Sequence, residues 1–508
     1  MSETKHGPFN LDGVIRDASG LAHYAGLPAS LVHAIHASVL TYPEHEAVVE
    51  VGGPRLTYAQ LWQQAVRVAG GLRAGGFSTG DRAAILLPAG AEWVLAFLGT
   101  LLAGGVAVPV NTRFAEPEIE YVVADSGAAY VFRPGTALPS GPDYVADGVA
   151  LRDPAAIFYT SGTTGAPKGA VTTHESLLTS IENAMRCIGI DRASAAQKRN
   201  FISVPLFHVT GCNAQLLVQL GTGGTAVILP VFDIATFLRT IADERITTLV
   251  TVPAIHGLAI AHPDFAGTDI SSVTRVAYGG APIAPALVQR LMQAYPAARV
   301  GNGFGLSETS SLATYLPHEW SAEHADSVGF ATPVVDLLLH EPDAESGVGE
   351  LLIRGPNVVI GYWNKPEATA AAFVDGWLHT GDLARIDDEG LVYIVDRAKD
   401  MICRGGENVY SVEVENALAG APGIAEAAVV GVPDAVMGEK VGVVVVPTAP
   451  GAFDPDAMFA HLAGRLADFK IPQYVAISAT PLPRNPGGKV LKRQLRDATE
   501  WGPVRRGK

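Results

Sequence analysis

Cysteine is scarce in this chain. Among 508 residues there are three cysteines, Cys187, Cys212 and Cys403, which lie far apart and form no C-x-x-C pair. Clustered cysteines are the usual ligands of structural zinc, and evenly paired ones build disulfide frameworks. Their scarcity argues against both features and fits a reducing compartment. We therefore expect three free thiols and a cytoplasmic location.

Basic residues are also in deficit. The sequence has 36 Lys and Arg against 51 Asp and Glu, which gives a formal net charge of -15. A nucleic-acid partner calls for a basic surface, because its phosphates must be neutralised, so none is expected. Charged residues make up only 17% of the chain and hydrophobic ones 48%. This balance indicates a large buried interior and excludes global disorder.

Export and membrane signals are missing from the pattern. The N-terminal residues MSETKHGPFN show no basic segment followed by an apolar one, so the sequence predicts no signal peptide. One uncharged stretch, residues 93–110, has the length of a membrane-spanning helix. Gly104, Gly105 and Pro109 interrupt it, and we predict no transmembrane segment but a buried helix between two strands of one βαβ unit.

Strand and helix patterns alternate through the middle of the chain. Apolar segments typical of strands at 246–253, 272–280 and 298–303 accompany a helical pattern at 284–296. Such alternation predicts a mostly parallel sheet. The length suggests either about three domain-sized units or one large composite domain with a small one. We find no internal repeat.

The pattern changes twice towards the C-terminus. From about residue 327, apolar and polar residues alternate around turn signals, which predicts an antiparallel β subdomain over about 327–397. Helix and strand patterns then resume in a unit of ordinary small-domain size. We predict an α/β fold with two domains. Residues 1–397 form a large N-terminal domain of parallel-type αβ sheets with the β subdomain, and residues 398–508 form a small C-terminal α+β domain.

The segment YTSGTTGAPKGAV at 159–171 is the most informative stretch. Its Gly, Ser and Thr residues are poor material for a core, but they offer exposed backbone N–H groups and hydroxyls beside one positive charge, Lys168. Those are the ingredients of a phosphate-binding loop. The segment lacks the G-x-x-x-x-G-K-[ST] spacing of a Walker loop, so a P-loop NTPase is disfavoured.

The same segment closely resembles the signature loop of the adenylate-forming superfamily. That superfamily includes acyl-CoA synthetases, peptide-synthetase adenylation domains and beetle luciferases. Further segments resemble its other motifs in their fixed order: PLFHVTG at 205–211, YGGAP at 278–282, GNGFGLSE at 301–308, HTGD at 379–382, DRAKDMICRGGEN at 396–408 and PRNPGGKVLKRQLR at 483–496. TYAQLWQQAVRVAGGLRAGG at 57–76 resembles the usual N-terminal helix. The resemblance spans essentially the whole chain after residue 150 and is closest to fatty-acid and 4-coumarate CoA ligases.

The resemblance implies that ATP, Mg²⁺ and coenzyme A bind this chain. The residues that it implies for the nucleotide and coenzyme are Thr160, Ser161, Gly162, Thr163, Thr164, Lys168, Gly280, Ala281, Pro282, Asn302, Gly303, Phe304, Ser307, Asp382, Arg397, Lys399, Gly405 and Gly406. Within this set, Thr163, Thr164 and Lys168 would hold phosphates. Asp382 and Arg397 would hold the ribose.

Several of these positions carry a specific implied role. Lys399 occupies the hinge position, while Gly405 and Gly406 would line the pantetheine path, since glycine lets a ligand pass close to the backbone. Phe304 stands where the family often has tyrosine, so stacking on adenine is kept and a hydroxyl contact is lost. The connection over 133–153 is short compared with that of typical members.

Three residues are implied in the chemistry itself. Glu308 resembles the magnesium-binding glutamate, and a hard cation does prefer such an oxygen ligand. Lys489 resembles the lysine that bridges the acid carboxylate and the α-phosphate, where a point charge on a flexible stem suits a developing charge. His208 would border the carboxylate and the thiol entry path. Members of the family use one site for two half-reactions by rotating the C-terminal domain.

The predicted function is therefore an acid:CoA ligase, which forms an acyl-adenylate and then a thioester. The segments expected to line the acid pocket, 208–215 and 310–312, offer no arginine to pair a second carboxylate. This favours a monocarboxylic acid, with a medium- or long-chain fatty acid as first choice. An aryl or cinnamate-like acid is the alternative, as is an acyl-adenylate donor that serves a carrier protein. Monomer and homodimer both stay open.

Other functions fit the sequence less well. An amino-acid-adenylating domain usually has an aspartate near the acid segment, whereas FHVTGCNAQ at 207–215 has no acid. A serine hydrolase would need a G-x-S-x-G elbow, and GLSET at 305–309 lacks the second glycine. An inactive nucleotide-binding module is disfavoured because the charged motif residues are all present. A luciferase-type oxygenase stays open.

Overall fold

A computed structural model describes residues 4–160, 166–281, 283–405, 407–434, 436–484 and 489–503. The chain divides into two units. The first unit comprises Met1–Leu338, Leu352–His379 and Asp387–Val392, and the second comprises Leu339–Leu351, Thr380–Ile386 and Tyr393–Lys508.

The larger sheet of the first unit carries two of the motif segments. Its strands lie side by side in the order Phe330–Ala331, Ser311–Leu316, Arg299–Leu306, Arg275–Gly279, Thr248–Thr251, Arg199–Ile202, Thr225–Ile228, Glu46–Glu50 and Arg55–Thr57. Pairing is parallel from Arg299–Leu306 to Glu46–Glu50 and antiparallel at both edges. The mostly parallel sheet predicted from strand and helix alternation is confirmed.

A second sheet of the first unit carries the signature loop. Its strands lie in the order Ala128–Phe132, Arg82–Ile85, Val106–Pro109, Pro154–Thr160 and Lys168–Thr173. The uncharged stretch at 93–110 forms the helix Ala91–Leu102 and the strand Val106–Pro109, and every residue of that helix except Glu92 is buried. The predicted βαβ unit is confirmed. Within the described ranges, no helix is long and apolar enough to cross a membrane.

Helices accompany both sheets. Those of the first unit are Leu31–Thr41, Tyr58–Ala74, Ala91–Leu102, Glu116–Ser126, His174–Ile188, Arg192–Ala195, Val209–Gly211, Leu217–Thr222, Ile234–Asp243, Pro253–Ala261, Pro285–Ala294, His318–Ser321 and Pro366–Ala372. Tyr58–Ala74 begins in a capping box, in which the hydroxyl of Thr57 accepts from the Gln60 backbone and the Gln60 side chain accepts from Thr57. It matches the helix predicted at 57–76. A short hairpin, Val14–Arg16 with Ala22–Tyr24, precedes them.

The region after residue 327 is rich in strands, as its alternating pattern predicts. Its strands are Asp336–His340, Gly349–Arg354, Phe373–Val374, Trp377–Ile386 and Val392–Arg397. The second unit also contains a sheet whose strands lie in the order Glu407–Val409, Ile402–Arg404, Gly438–Pro447 and Ile424–Asp434. A further strand, Tyr474–Ile477, pairs with Gly438–Pro447. The Val residues of the two long strands supply much of its core.

The helices of the second unit are Ser411–Leu418, Pro455–Leu462 and Lys492–Ala498 in the described residues. The apolar pattern at 456–469 predicts one long helix, and this prediction is wrong at its C-terminal half. The helix ends at Leu462, because Ala463 leaves the helical region with a ψ of 127° and Gly464 follows with a φ of +77°. A separate 3₁₀ turn lies at Asp468–Lys470. The three cysteines are free thiols, as expected.

A buried histidine makes the first unit sensitive to acid. His256 is 1% exposed, Nε2 lies 3.0 Å from the Ala277 carbonyl oxygen, and burial lowers its pKa to about 4 from 6.5. Between these values the unfolded chain binds a proton that the folded chain does not. The contribution of His256 to the free energy of unfolding is therefore fully present above pH 6.5. It falls as the pH drops towards 4, by up to roughly 3 kcal/mol.

The His256→Gln variant is expected to lose less stability over that pH window. Glutamine keeps an N–H donor for the Ala277 carbonyl oxygen and has no proton to gain. Urea unfolding of the wild type and the variant across the window measures the difference. The exposed His45→Gln variant is the control, and a His256→Gln profile that overlies the wild-type profile would contradict the assignment.

Candidate active site

The signature loop closes a hairpin of the first unit. Strands Pro154–Thr160 and Lys168–Thr173 are antiparallel, and Thr160 and Lys168 face each other as the last pair before the loop. The hydroxyl of Thr160 donates to the Lys168 carbonyl oxygen at 3.4 Å. The Lys168 ammonium lies 5.0 Å from the centroid of the Tyr362 ring. Ser161, Gly162, Thr163 and Thr164 lie outside the described residues.

The glycine-rich motifs meet at the carboxyl ends of two neighbouring parallel strands. Tyr278 pairs with Asn302, and Gly279 pairs with Gly303. A side chain at Gly279 does not fit, because its Cβ would lie 2.2 Å from the Gly303 carbonyl oxygen. The two strands therefore approach closely at their carboxyl ends, which is where open α/β sheets bind ligands.

Exposed backbone follows the first of these strand ends. Gly280 and Ala281 are exposed, and Gly280 has a φ of +75° that favours glycine. The helix Pro285–Ala294 begins shortly after them. Pro282, which the sequence also predicts at this site, lies outside the described residues.

Two predicted side chains, Asn302 and Phe304, lie on the neighbouring strand Arg299–Leu306. Asn302 is buried, and its Nδ2 donates to the Ser327 carbonyl oxygen at 3.0 Å. Phe304 is half-buried at a β-bulge, where the register against the strand Ser311–Leu316 shifts between Phe304 and Gly305. A bulge re-aims the side chains next to it.

Glu308 lies in the 3₁₀ turn Ser307–Thr309 directly after that strand. Its carboxylate Oε1 accepts a hydrogen bond from the Tyr362 hydroxyl at 2.8 Å. Burial and the neighbouring Glu308 charge raise the pKa of Tyr362, so its hydroxyl stays protonated and donates. Glu308 and Lys168, which are 140 residues apart in sequence, therefore contact the same side chain.

The backbone after Glu308 is strained. Ser310 has a φ of +51° and Ser311 a φ of +121°, a region that non-glycine residues rarely adopt. Neighbours hold the strained segment, since Asn213 donates from Nδ2 to the Ser310 carbonyl oxygen at 2.9 Å and the Ser180 hydroxyl donates to the same oxygen at 3.1 Å. Strain of this kind is typical of functional sites.

The segment 208–215, which is expected to line the acid pocket and is called the acid segment below, contains an unusual helix. His208 is half-buried and precedes the turn Val209–Gly211, after which Cys212–Leu216 forms a π-helix. π-helices are rare and occur often at functional sites. Asn213 on this helix is the residue that bonds the Ser310 backbone, so the acid segment is tied to the segment after Glu308.

Buried polar atoms without a partner cluster at the same place. Among the described residues, Asn213 Oδ1, Gln215 Oε1 and Ser310 Oγ are buried and have no hydrogen-bond partner. An unsatisfied buried polar group costs about 1–3 kcal/mol, so each calls for an explanation such as a ligand or a water molecule. These atoms give the acid segment a polar character.

Asp382 and Arg397, which the resemblance assigns to the ribose, form an ion pair within the second unit. Asp382 is 3% exposed, and Arg397 Nε lies 2.6 Å from its Oδ1. The backbone N–H of Asp382 donates to the Thr380 hydroxyl at 3.0 Å, and Gly381 has a φ of +68°, which accounts for the glycine between them. The two residues that the sequence assigns to the ribose are thus in contact.

Two predicted lysines, Lys399 and Lys489, also belong to the second unit. Burial lowers the pKa of Lys399, and the charges of Arg397 and Lys489 act in the same direction. Lys489 is exposed, beside an antiparallel bridge between Arg484 and Val490. Lys489 is therefore near enough for its positive charge to act on Lys399.

The predicted pantetheine segment includes a tight glycine. Gly405 has a φ of +62°, and its N–H donates to the Met437 carbonyl oxygen at 2.8 Å. A Cβ there would lie 2.3 Å from the Met437 Cε. Gly406 lies outside the described residues.

The donor set of the first unit fits Mg²⁺ rather than a metal held by protein alone. In the described part of the chain, no group of three or more His, Cys, Asp or Glu residues could hold a metal ion. Mg²⁺ usually takes one or two carboxylates and completes its shell with substrate phosphates and water. A single carboxylate such as Glu308, with one oxygen fixed by a hydrogen bond, meets that requirement.

Sequence reasoning missed several residues of this site. It gave no role to Tyr362 or to Asn357, whose Nδ2 donates to the Thr309 carbonyl oxygen at 3.1 Å. In the second unit it missed Asp396, a buried carboxylate that accepts hydrogen bonds from the Ser411 backbone and hydroxyl at the start of helix Ser411–Leu418. Only Asp396 carried a signal, since it directly precedes Arg397 in a motif.

Family models match most of the chain. The model described as AMP-binding enzyme matches residues 35–143 and 134–363, and the model described as AMP-binding enzyme C-terminal domain matches residues 413–489. The second match lies within the second unit.

Curated relatives match over nearly their full length. A feruloyl-CoA synthase from Amycolatopsis sp is 37% identical over 476 residues, which cover 89% of this chain and 96% of that protein. The long-chain-fatty-acid–CoA ligase FadD13 from Mycobacterium tuberculosis is 36% identical, with 90% of this chain and 95% of that protein covered. An o-succinylbenzoate CoA synthetase from Bacillus subtilis, solved with its acyl-adenylate intermediate, is structurally similar with a TM-score of 0.84 at 29% identity, covering 92% of this chain and 99% of that one.

Proposed function

We propose a function from one premise: this chain belongs to the AMP-binding enzyme family. It is an ATP-dependent acid:CoA ligase. In the first half-reaction a carboxylate oxygen of the acid attacks the α-phosphorus of ATP, and pyrophosphate leaves. In the second, the thiol sulfur of CoA attacks the acyl carbon, a thioester forms, and AMP leaves with the oxygen that came from the acid.

The observation that carries this proposal is the arrangement around Tyr362. Lys168 and Glu308 contact that one side chain, so a cation and the carboxylate proposed for the metal lie together, and Glu308 directly follows the strand that carries Gly303. Charge that builds up on a transferring phosphoryl group needs such preplaced partners. When bound, Mg²⁺ supplies further charge neutralisation on the phosphates.

The remaining nucleotide contacts follow from the motifs. Backbone groups of Gly280, Ala281 and Gly303 are proposed to face adenine, with Phe304 stacking on it. The further residues proposed for the nucleotide are Thr160, Ser161, Gly162, Thr163, Thr164, Pro282, Asn302 and Ser307. Asp382 is proposed to accept hydrogen bonds from the ribose hydroxyls, with Arg397 beside it.

A second set of residues is proposed to serve the acid, the thiol and the change between the two half-reactions. Lys489 serves adenylation by contacting the acid carboxylate and the α-phosphate, and His208 borders the acid and the thiol path. Lys399 serves as the hinge, and Gly405 and Gly406 leave room for pantetheine. The domain division at 397/398 and a cytoplasmic location are parts of the same proposal.

Two classes of acid are candidates. A medium- or long-chain fatty acid is the first candidate, because the segments 208–215 and 310–312 contain no arginine that would pair a second carboxylate. An aryl acid of the cinnamate type is the second candidate, which the partnerless buried atoms of Asn213, Gln215 and Ser310 favour, because a hydroxylated ring could satisfy them. The similarity to a feruloyl-CoA synthase supports the same class.

The experiment measures AMP formation from ATP and Mg²⁺, with and without CoA. The acids are saturated fatty acids of increasing length and a set of benzoates and cinnamates with and without ring hydroxyls. Turnover that requires both acid and CoA is the expected result, and the best acid decides between the two classes. Acyl-adenylate that forms but is not converted to acyl-CoA when CoA is added would indicate a donor to a carrier protein, and neither acyl-adenylate nor AMP with any acid would overturn the proposal.

The Asp382→Asn variant is expected to raise the KM for ATP about 10-fold or more. The substitution removes the charge that accepts from the ribose hydroxyls, and hydrogen bonds to charged groups are among the stronger ones. Steady-state kinetics with ATP varied at saturating acid measure the effect. Glu413→Gln is the control, since it removes another ion pair of the second unit, with Lys470 at 2.7 Å. Equal KM values for the two variants would contradict the ribose assignment.

A further inference from the structure

The backbone around Tyr362 is fixed on two sides. Tyr362 lies opposite Ala170 in an antiparallel bridge to the strand that begins with Lys168. Three residues earlier, the Val359 N–H donates to the Glu308 carbonyl oxygen at 2.9 Å. The segment therefore spans the distance between the strand after the signature loop and the turn that carries the carboxylate.

The Tyr362 side chain contacts both charges. Its hydroxyl donates to Glu308 Oε1 at 2.8 Å, and the Lys168 ammonium lies 5.0 Å from its ring centroid. A cation within about 6 Å of a tyrosine ring centroid is attracted by the ring quadrupole. One residue thus engages a cation through its ring and an anion through its hydroxyl.

Local packing fixes the orientation of the ring. The Tyr362 backbone N–H donates to the Thr369 hydroxyl at 2.9 Å, and the ring packs edge-on against Phe373 with centroids 5.9 Å apart. Gly361, directly before it, has a φ of +137°, and a Cβ there would lie 2.6 Å from Thr369 Cγ2. The turn at Gly361 accordingly admits only glycine, and the ring that follows has little freedom.

We propose that Tyr362 is a positioning residue for adenylation. Its hydroxyl holds Glu308 Oε1 so that the other carboxylate oxygen is directed to the metal, and its ring holds the Lys168 ammonium for the phosphates. The proposal rests on the proposed function, from which the roles of Glu308 and Lys168 come. It assigns to a neutral side chain the task of setting the geometry of two charged ones.

Two substitutions separate the two contacts. Tyr362→Phe removes the hydroxyl but keeps the ring, its packing and its contact with Lys168. Tyr362→Leu removes the ring contact as well. If Tyr362 acts only by packing, the Leu variant loses ATP affinity and the Phe variant keeps it. If Tyr362 is a positioning residue, the Phe variant alone already loses the Mg²⁺-dependent part of the ATP affinity.

The test measures ATP binding by calorimetry, once with Mg²⁺ and once with EDTA. For Tyr362→Phe we expect unchanged affinity in EDTA and an affinity in Mg²⁺ that falls about 10-fold, the size of one hydrogen bond to a charged group. For Tyr362→Leu we expect weaker binding in both conditions, because Lys168 is displaced too. Tyr24→Phe is the matched control, since it removes another buried tyrosine hydrogen bond of the first unit, to Asn183 Oδ1 at 2.6 Å.

A double mutant ties the effect to the carboxylate. Glu308→Ala is expected to abolish most of the Mg²⁺-dependent gain, and adding Tyr362→Phe to it should change that gain no further. Wild-type Mg²⁺ dependence in Tyr362→Phe, or additive losses in the double mutant, would overturn the positioning role. If Mg²⁺-dependent ATP binding behaves as expected and no acid supports AMP formation, the proposed function fails, while Tyr362 still positions Glu308 and Lys168 for Mg²⁺ and ATP.

Discussion

The Lys489→Ala variant is expected to lose adenylation by roughly 100-fold or more, while it still converts supplied acyl-adenylate to thioester. The reason is that Lys489 is proposed to stabilise charge only while the acid carboxylate attacks the α-phosphate. Lys489 is exposed, so its removal has little consequence for packing. Pyrophosphate release from acid and ATP measures the first half-reaction, and thioester formation from synthetic adenylate and CoA measures the second.

The control for this prediction is Arg493→Ala. It removes another exposed positive charge close in sequence, one that pairs with Asp497 on the same helix at 3.8 Å. Both half-reactions should stay near wild-type rates in that variant. Equal losses in the two half-reactions of Lys489→Ala would contradict the assignment of the lysine to adenylation.

The Glu308→Gln variant is expected to lose pyrophosphate release by about 100-fold and to need more Mg²⁺ for the activity that remains. Glutamine keeps an oxygen that accepts from Tyr362, so the local fold is retained, but the charge that a hard cation requires is gone. Initial rates over a Mg²⁺ titration measure both quantities.

Glu319→Gln is the matched control. Glu319 is a first-unit glutamate that forms a salt bridge with Arg299, at the opposite end of the strand that leads to Glu308. Its Mg²⁺ dependence should equal that of the wild type. A Glu308→Gln variant with unchanged Mg²⁺ dependence would show that the carboxylate does not hold the metal.

Local signals accounted for much of the fold. The helix Ala91–Leu102 was predictable because Gly104 and Gly105 end the apolar run, and the capping pair Thr57 and Gln60 marks a helix start. The overlong helix predicted at 456–469 shows the limit. Its apolar period continues past Leu462, but the backbone leaves the helical region at Ala463 and is left-handed at Gly464.

The candidate site was predictable only where its residues carry charge or lie in glycine-rich motifs. Lys168, Glu308 and Asp382 stand out in the sequence because of such surroundings. Tyr362 does not, since its role depends on pairing with a strand nearly 200 residues earlier, and no local pattern encodes that contact. The π-helix at Cys212–Leu216 is equally hidden, because its five residues are too few to show a hydrophobic period of their own.

The central claim is that the acid is activated as an adenylate before it reaches CoA. The most direct test supplies the best acid with both carboxylate oxygens labelled as ¹⁸O, together with ATP, Mg²⁺ and CoA, and analyses the products by mass spectrometry. The account predicts acyl-CoA that keeps one label and AMP that carries the other, because the oxygen bonded to the α-phosphorus leaves with AMP. Unlabelled AMP, or label in phosphate or ADP, would contradict it.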